Sequence, residues 1–176
     1  SGAAGSGKST LAKFLAIKLK AKHIYIGGIR RELAKKKGMT LEELNQYALT
    51  HPETDVNVDK EACQEALSLE KKGKVVIVEG RTPYHFLPKS IKVYMKVDPA
   101  EAVKRIWHDL QRNDIQRLRE GNVESVSDLK RQLTQRQKMD VQRYKKYYNI
   151  NPYDQKQYDI VIDTTLNTVE QTRTQA

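Results

Sequence analysis

The clearest chemistry in the chain lies at its start, in SGAAGSGKST, where Gly2, Gly7, Lys8 and Ser9 satisfy G-x-x-x-x-G-K-[ST]. A loop of this type turns backbone N–H groups onto a phosphate, and the helix behind it adds the positive end of its dipole. Gly2, Ala3, Ala4, Gly5, Ser6, Gly7, Lys8, Ser9 and Thr10 form the expected loop for a nucleoside triphosphate. Lys8 is expected to reach the β and γ phosphates and Ser9 to ligate Mg²⁺. The motif does not choose among GTPases, motors and kinases. GTPases would also need N-K-x-D and D-x-x-G strings, and the sequence contains neither.

Cations at the ends of elements suit a second phosphate group. Arg31 falls just inside a helix after HIYIGG, and Arg81 follows VVIVEG at the tip of a strand, where α/β folds bind ligands. Glu79 beside it is placed to orient Mg²⁺ through water. Further on, Leu129, Leu133, Arg136, Asp140 and Arg143 fall on one helical stripe, at spacings of four, three, four and three. A stripe that turns from apolar to charged fits a helix leaving the core to line a cleft. It fits equally a surface Arg–Asp pair worth only ~0.2–0.5 kcal/mol.

These residues need a scaffold. STLAKFLAIKLKAK has Leu11, Phe14, Leu15 and Leu19 at helical spacing. HIYI (His23 to Ile26) is a strand ended by Gly27 and Gly28, and IRRELAKKKG is a helix stopped at Gly38. Thr40 opens a capping box with Glu43, and DVNVDKEACQEALSLEKKG is a helix ending at Gly73. The unbroken apolar run Val75 to Val78 predicts a strand buried on both faces. SIKVYMKVDP and YDIVIDT supply two more strands, with a helix from Ala100 between them. Strands alternating with helices predict an α/β fold, a parallel sheet with helices on both faces. The strand that feeds such a loop normally lies mid-sheet, yet only Ser1 precedes Gly2. The 176 residues are therefore expected to belong to a longer chain, Ser1 and Gly2 being the tail of that strand.

Composition narrows the class. A chain of 176 residues, 38% hydrophobic and 31% charged, suits one globular domain, with no apolar run near the ~20 residues of a membrane span. Cys63 is the sole cysteine, best taken as a small buried apolar residue, and it agrees with a cytoplasmic setting. His23, His51, His85 and His108 show no metal-ligand spacing and are expected to be structural or surface residues. The net charge of +10 favours anionic partners, and residues 104–146 hold 12 Lys or Arg against 6 Asp or Glu. That segment suits a solvated basic helix pair, a nucleic-acid surface or a lid over phosphates. With two Phe and one Trp in the chain, it lacks the aromatic platform of single-strand binders.

GSGKSTLAKFLA, GGIRRELAKKKGMTLEEL, THPETDVNVDKE, VVIVEGR, RQKMDVQRYKKYYNI and YDIVIDTT together resemble, in order, the blocks of the cytidylate kinase family, in its compact archaeal type. The resemblance runs from Ser1 to about Thr165. It implies a P-loop NTPase fold, one kinase domain over 1–176, with helical insertions for the nucleoside monophosphate at about 27–72 and for a lid at about 105–124. It implies ATP as donor, CMP or dCMP as acceptor and Mg²⁺ as cofactor; a monomer without membrane or nucleic-acid partners is expected. Arg31 and Arg81 would contact the monophosphate, Arg136 and Asp140 would read the base, and Arg143 would hold the acceptor phosphate. Arg105 and Arg112 would stabilise the transferring phosphoryl group beside Lys8. The chain departs from the family at Ile26, where a small Ser or Ala is usual near the ribose. It departs also at Ala102, where many members carry a lid-hinge arginine, and in TPYHFLPKS after Arg81. Two other readings remain: a kinase of the same fold acting on another acceptor such as AMP, and a nucleic-acid-binding protein switched by ATP.

Overall fold

The computed structural model describes residues 1–112 and 123–176. Four short strands, β1 (Lys22–Tyr25), β2 (Val76–Glu79), β3 (Val93–Lys96) and β4 (Ile160–Asp163), are interleaved with eight helices among the described residues. The helices are α1 (Lys8–Lys18), α2 (Ile26–Lys36), α3 (Leu41–Tyr47), α4 (Glu53–Lys71), α5 (Pro83–Phe86), α6 (Pro99–Gln111), α7 (Val126–Tyr148) and α8 (Val169–Gln175). None of the described helices is long and apolar enough to cross a membrane.

Hydrogen bonds group the strands into two parallel pairs. β1 lies beside β2 with Tyr25 opposite Glu79, and β3 lies beside β4 with Lys96 opposite Asp163. Ser1 and Gly2 run parallel to β3: the Met95 N–H donates to the Ser1 carbonyl at 2.9 Å, and Gly2 bridges to Met95. Helix α1 ties the pairs together, packing on β1 and β2 while Leu11 joins Met95 and Ile162 in a buried cluster on β3 and β4. A second cluster, with Ile24, Ile26, Cys63 and Ala66, fills the space between the β1–β2 pair and α4. The third sets Val103 and Ile106 of α6 against Leu129 of α7. Burial at ~25 cal/mol per Å² makes these clusters the main source of stability.

Two local expectations change. Ile26, Gly27 and Gly28 belong to the first turn of α2, not to the strand and its end. The reason is steric: a Cβ on either glycine would lie 2.8 Å from the Tyr25 ring, so only glycine lets that ring fold back on the helix. β2 is half-buried along Val76 to Val78 and Val75 is 53% exposed, where burial on both faces was expected. Among the described residues β2 pairs with β1 alone, so one of its edges is open. The box at Thr40 forms as expected, with the Glu43 N–H donating to Thr40 Oγ1 and the Thr40 N–H to Glu43 Oε2.

Candidate active site

The loop closes around its own side chains. Gly7 is the N-cap of α1 and offers no capping side chain, and the first turn holds no acid. The first N–H groups of the helix are thus left for an anion. Lys8 Nζ donates to the Ala3 carbonyl at 2.6 Å, which sets the ammonium across the mouth of the loop. Gly5 sits at φ +77°, and a Cβ there would stand 2.9 Å from the Ala102 carbonyl of α6. The loop is therefore as close to α6 as backbone can come.

Strand ends from both pairs converge on this loop. Ser9 Oγ donates to Glu79 Oε1 at 2.5 Å, and the other carboxylate oxygen meets His23 Nε2 at 3.1 Å. Glu79 is buried, at 5% exposure. A hydroxyl and a carboxylate oxygen held together beside a phosphate loop fit magnesium, a hard cation that takes few protein ligands and keeps waters. From the other pair, Thr164 Oγ1 at the end of β4 lies 3.3 Å from the Ser6 carbonyl.

Arg81 stands two residues beyond Glu79, at most ~7 Å along the chain. Its Nε donates to the Tyr153 hydroxyl at 2.9 Å and lies 2.8 Å from Asp140 Oδ2. Tyr153 in turn donates to Asp140 Oδ2 at 2.8 Å. Arg143 donates to Asp140 Oδ1 at 2.6 Å and to Asp55 Oδ2 at 2.7 Å, and Asp55 also pairs with Arg30. The result is an alternating chain Arg30–Asp55–Arg143–Asp140–Arg81, drawn from α2, α4, α7 and the tip of β2. Asp140 and Arg143 are each 1% exposed, so the stripe on α7 does not make a surface pair. Burial alone would raise the Asp140 pKa. Arg81, Arg143 and Arg136 outweigh it and hold the carboxyl below its ordinary range. Burial would likewise lower the Arg81 pKa, but Asp140 and Tyr153 raise it, so both partners stay ionised.

Other expected residues take separate places. Arg31 donates to the Tyr25 hydroxyl at 2.6 Å and to the Gly27 carbonyl at 3.2 Å, with its guanidinium over the Tyr25 ring. With Ser9, Thr10 and Tyr25 it lines a cleft of about 620 Å³ running along α1. Arg136 lines a small pocket of about 40 Å³ between α3 and α7, beside Leu41, Asn45 and Met139. Arg105 is held by Glu101, at 2.9 Å, and by the Thr164 and Thr165 carbonyls, at 2.6 and 3.2 Å. Arg112 is the exposed C-cap of α6, and residues 113–122 of the expected lid lie outside the described residues. Sequence reasoning did not find His23, Tyr25, Arg30, Asp55 or Tyr153. Only the pairing of a polar Asp55 with Asp59 one turn later on α4 signalled a face that buries acids against cations.

Comparison with known proteins agrees with this geometry. A family model described as an AAA domain (AAA_18) matches residues 1–127. Cytidylate kinase of Archaeoglobus fulgidus is 36% identical over 93% of this chain and 83% of its own length. That of Pyrococcus horikoshii is 36% identical over 94% and 78%, and that of Methanopyrus kandleri 31% over 93% and 82%. Shikimate kinase from Bacteroides thetaiotaomicron superposes with a TM-score of 0.54 over 99% of this chain and 90% of that one. At 17% identity it shows the fold alone. The loop at the N-terminus of α1, the parallel strands that end on it and this sequence likeness agree: the chain is a P-loop kinase and belongs to the cytidylate kinase family.

Proposed function

We propose that this protein transfers the γ-phosphoryl group of ATP to CMP and dCMP, giving ADP and the pyrimidine nucleoside diphosphate. The observation that carries the reading is the Ser9–Glu79 bond. It joins the triphosphate loop to the strand tip that bears Arg81, and Arg81 is in turn paired with the buried carboxylate Asp140.

A phosphate oxygen of CMP attacks the γ phosphorus while the bond to the bridging oxygen of ADP breaks. A monoester phosphate near pH 7 is largely dianionic, so no general base is required. Lys8 leaves the Ala3 carbonyl for the β and γ phosphates. The loop N–H groups hold the same phosphates, and Ser9 with Glu79, through water, would hold Mg²⁺. Such an ion would supply neutralisation of the triphosphate charge. Arg31 and Arg81 take the acceptor phosphate, and Arg143 would have to release Asp55 or Asp140 to join them. Asp140 accepts from the cytosine amino group, and Arg136 donates to the neighbouring acceptors. Arg105 would have to give up the Thr164 and Thr165 carbonyls to reach the phosphoryl group. Arg112 is therefore the lid arginine assigned to the phosphoryl group in this reading. The monophosphate region at about 27–72 and the lid at about 105–124 are part of this reading.

Coupled ADP release across CMP, dCMP, UMP and AMP tests it. CMP and dCMP are expected to give the highest kcat/KM. Preference for AMP would reassign the acceptor. Salt-sensitive RNA or DNA binding without turnover of free nucleotides would overturn the kinase reading of the site.

A further inference from the structure

We infer that Tyr153 is a positioning residue of the acceptor site, a strut that locks the phosphate-holding Arg81 to the base-reading Asp140. The inference rests on the acceptor assignment just proposed. The phenol oxygen accepts from Arg81 Nε at 2.9 Å, and its proton goes to Asp140 Oδ2 at 2.8 Å. A phenol has one proton to give, so this donor is fully committed. Burial and the Asp140 charge raise its pKa against the opposing pull of Arg81, so the proton stays on throughout the neutral range.

The contacts divide both ions by edge. Arg81 spends its Nε edge on Tyr153 and Asp140, which leaves the Nη end of the fork for a phosphate. A carboxylate offers about four lone-pair sites. On Asp140, Oδ2 takes Tyr153 and Arg81 while Oδ1 takes Arg143. The open acceptor is therefore on Oδ1, and that atom is left to meet an exocyclic amino group. Without the hydroxyl, Oδ2 also opens, the carboxylate is held by Arg143 and Arg81 alone, and Arg81 loses its lateral stop.

The loop after α7 is shaped to deliver this hydroxyl. Asn149 turns the chain at φ 57°, and the Tyr153 N–H donates to Asn151 Oδ1 at 3.1 Å. Tyr158 donates to the Pro152 carbonyl at 2.8 Å, and Tyr84 reaches the Asn151 carbonyl at 3.4 Å. Pro152 itself is fully buried. Two further phenols thus brace the backbone on which the strut stands.

Tyr153→Phe keeps the ring and removes the bridge. The expected result is a KM for CMP raised about tenfold and a CMP:UMP preference in kcat/KM reduced about tenfold, with kcat and the KM for ATP near wild type. Tyr84→Phe removes only the long 3.4 Å bond and leaves the Asn151 and Tyr158 bonds that hold the Tyr153 backbone, so it is expected to leave the preference intact. In the double variant Tyr153→Phe/Asp140→Asn, the preference is expected to fall no further than in Asp140→Asn alone. Lowered thermal stability of Tyr153→Phe with an unchanged KM and preference would reduce Tyr153 to a packing residue and overturn the inference. So would effects that multiply in the double variant, or a preference lost equally in Tyr84→Phe. If Tyr153→Phe does not fold, direct CMP binding to Asn151→Ala, which releases the Tyr153 backbone, decides the matter: unchanged affinity overturns the strut. A wild-type enzyme that ignores CMP overturns the acceptor assignment and this inference together. One that prefers CMP, with a Tyr153→Phe variant that does so equally, overturns the inference alone.

Discussion

Asp140 gathers Arg143, Arg81 and Tyr153 on its two oxygens while remaining ionised in the interior. A buried carboxylate is costly unless its lone pairs are filled, and truncating one partner leaves the rest unpaired. Asp140→Asn can turn its amide to donate where the carboxylate accepted. CMP is expected to lose kcat/KM by more than UMP, narrowing the preference by about 10- to 100-fold, and parallel assays on the two nucleotides measure it. Lys8→Ala is expected to lower kcat by at least about 100-fold with an unchanged melting temperature, since its charge acts on the transition state. Asp59 behaves in the opposite way to Asp140. It accepts from the Tyr148 hydroxyl at 3.1 Å, and burial lifts its pKa from 3.8 to about 6, against Arg30 and Arg143. A carboxyl raised on folding contributes stability that is complete below about pH 4 and lost as pH rises through about 6. At pH 7.5 it therefore carries a penalty of about 2–3 kcal/mol. Asp59→Asn is expected to melt above wild type at neutral pH, the difference closing toward pH 4 in a set of calorimetric scans.

Helix α3 shows how an element serves the ions it does not itself carry. Its capping box seats Leu41, Leu44 and Asn45, and Asn45 Oδ1 accepts from Arg30 at 2.9 Å. Thr40→Ala is expected to cost about 1 kcal/mol in chemical denaturation, with a smaller loss in CMP use as Arg30 loosens. At this scale the sequence was most legible. Alternating strands and helices, the loop and the stop at Gly38 follow from local pattern, because capping, turn chemistry and periodicity act within a few residues. The loop motif named Lys8 and Ser9, and strand-tip position named Glu79 and Arg81. What could not be read was partner choice: Arg81 and Tyr153 are 72 residues apart and Arg143 and Asp55 are 88 apart. No local rule sets those pairings. Gly27 and Gly28 misled for a related reason, since their value lies in the approach of the Tyr25 ring and not in ending a strand.

Across the whole molecule, α1 spans both strand pairs, so opening the β1–β2 side draws on the same helix that carries the loop. Cys63 lies within that side, 3% exposed among Ile24, Ile26, Ala62 and Ala66, its thiol pushed up to about 12 by burial and then by Asp59. A thiol in that state is no nucleophile at neutral pH. It turns the single cysteine into a clock. An alkylating reagent such as iodoacetamide, used at a concentration where reclosing outpaces alkylation, is expected to leave the folded protein essentially unmodified and to add one mass increment per chain only through the open state in which the β1–β2 and α4 layers part. The labelling rate, followed by intact mass, then reports the free energy of that opening. Saturating nucleotide is expected to slow the clock in proportion to its affinity, whichever residues turn out to hold it.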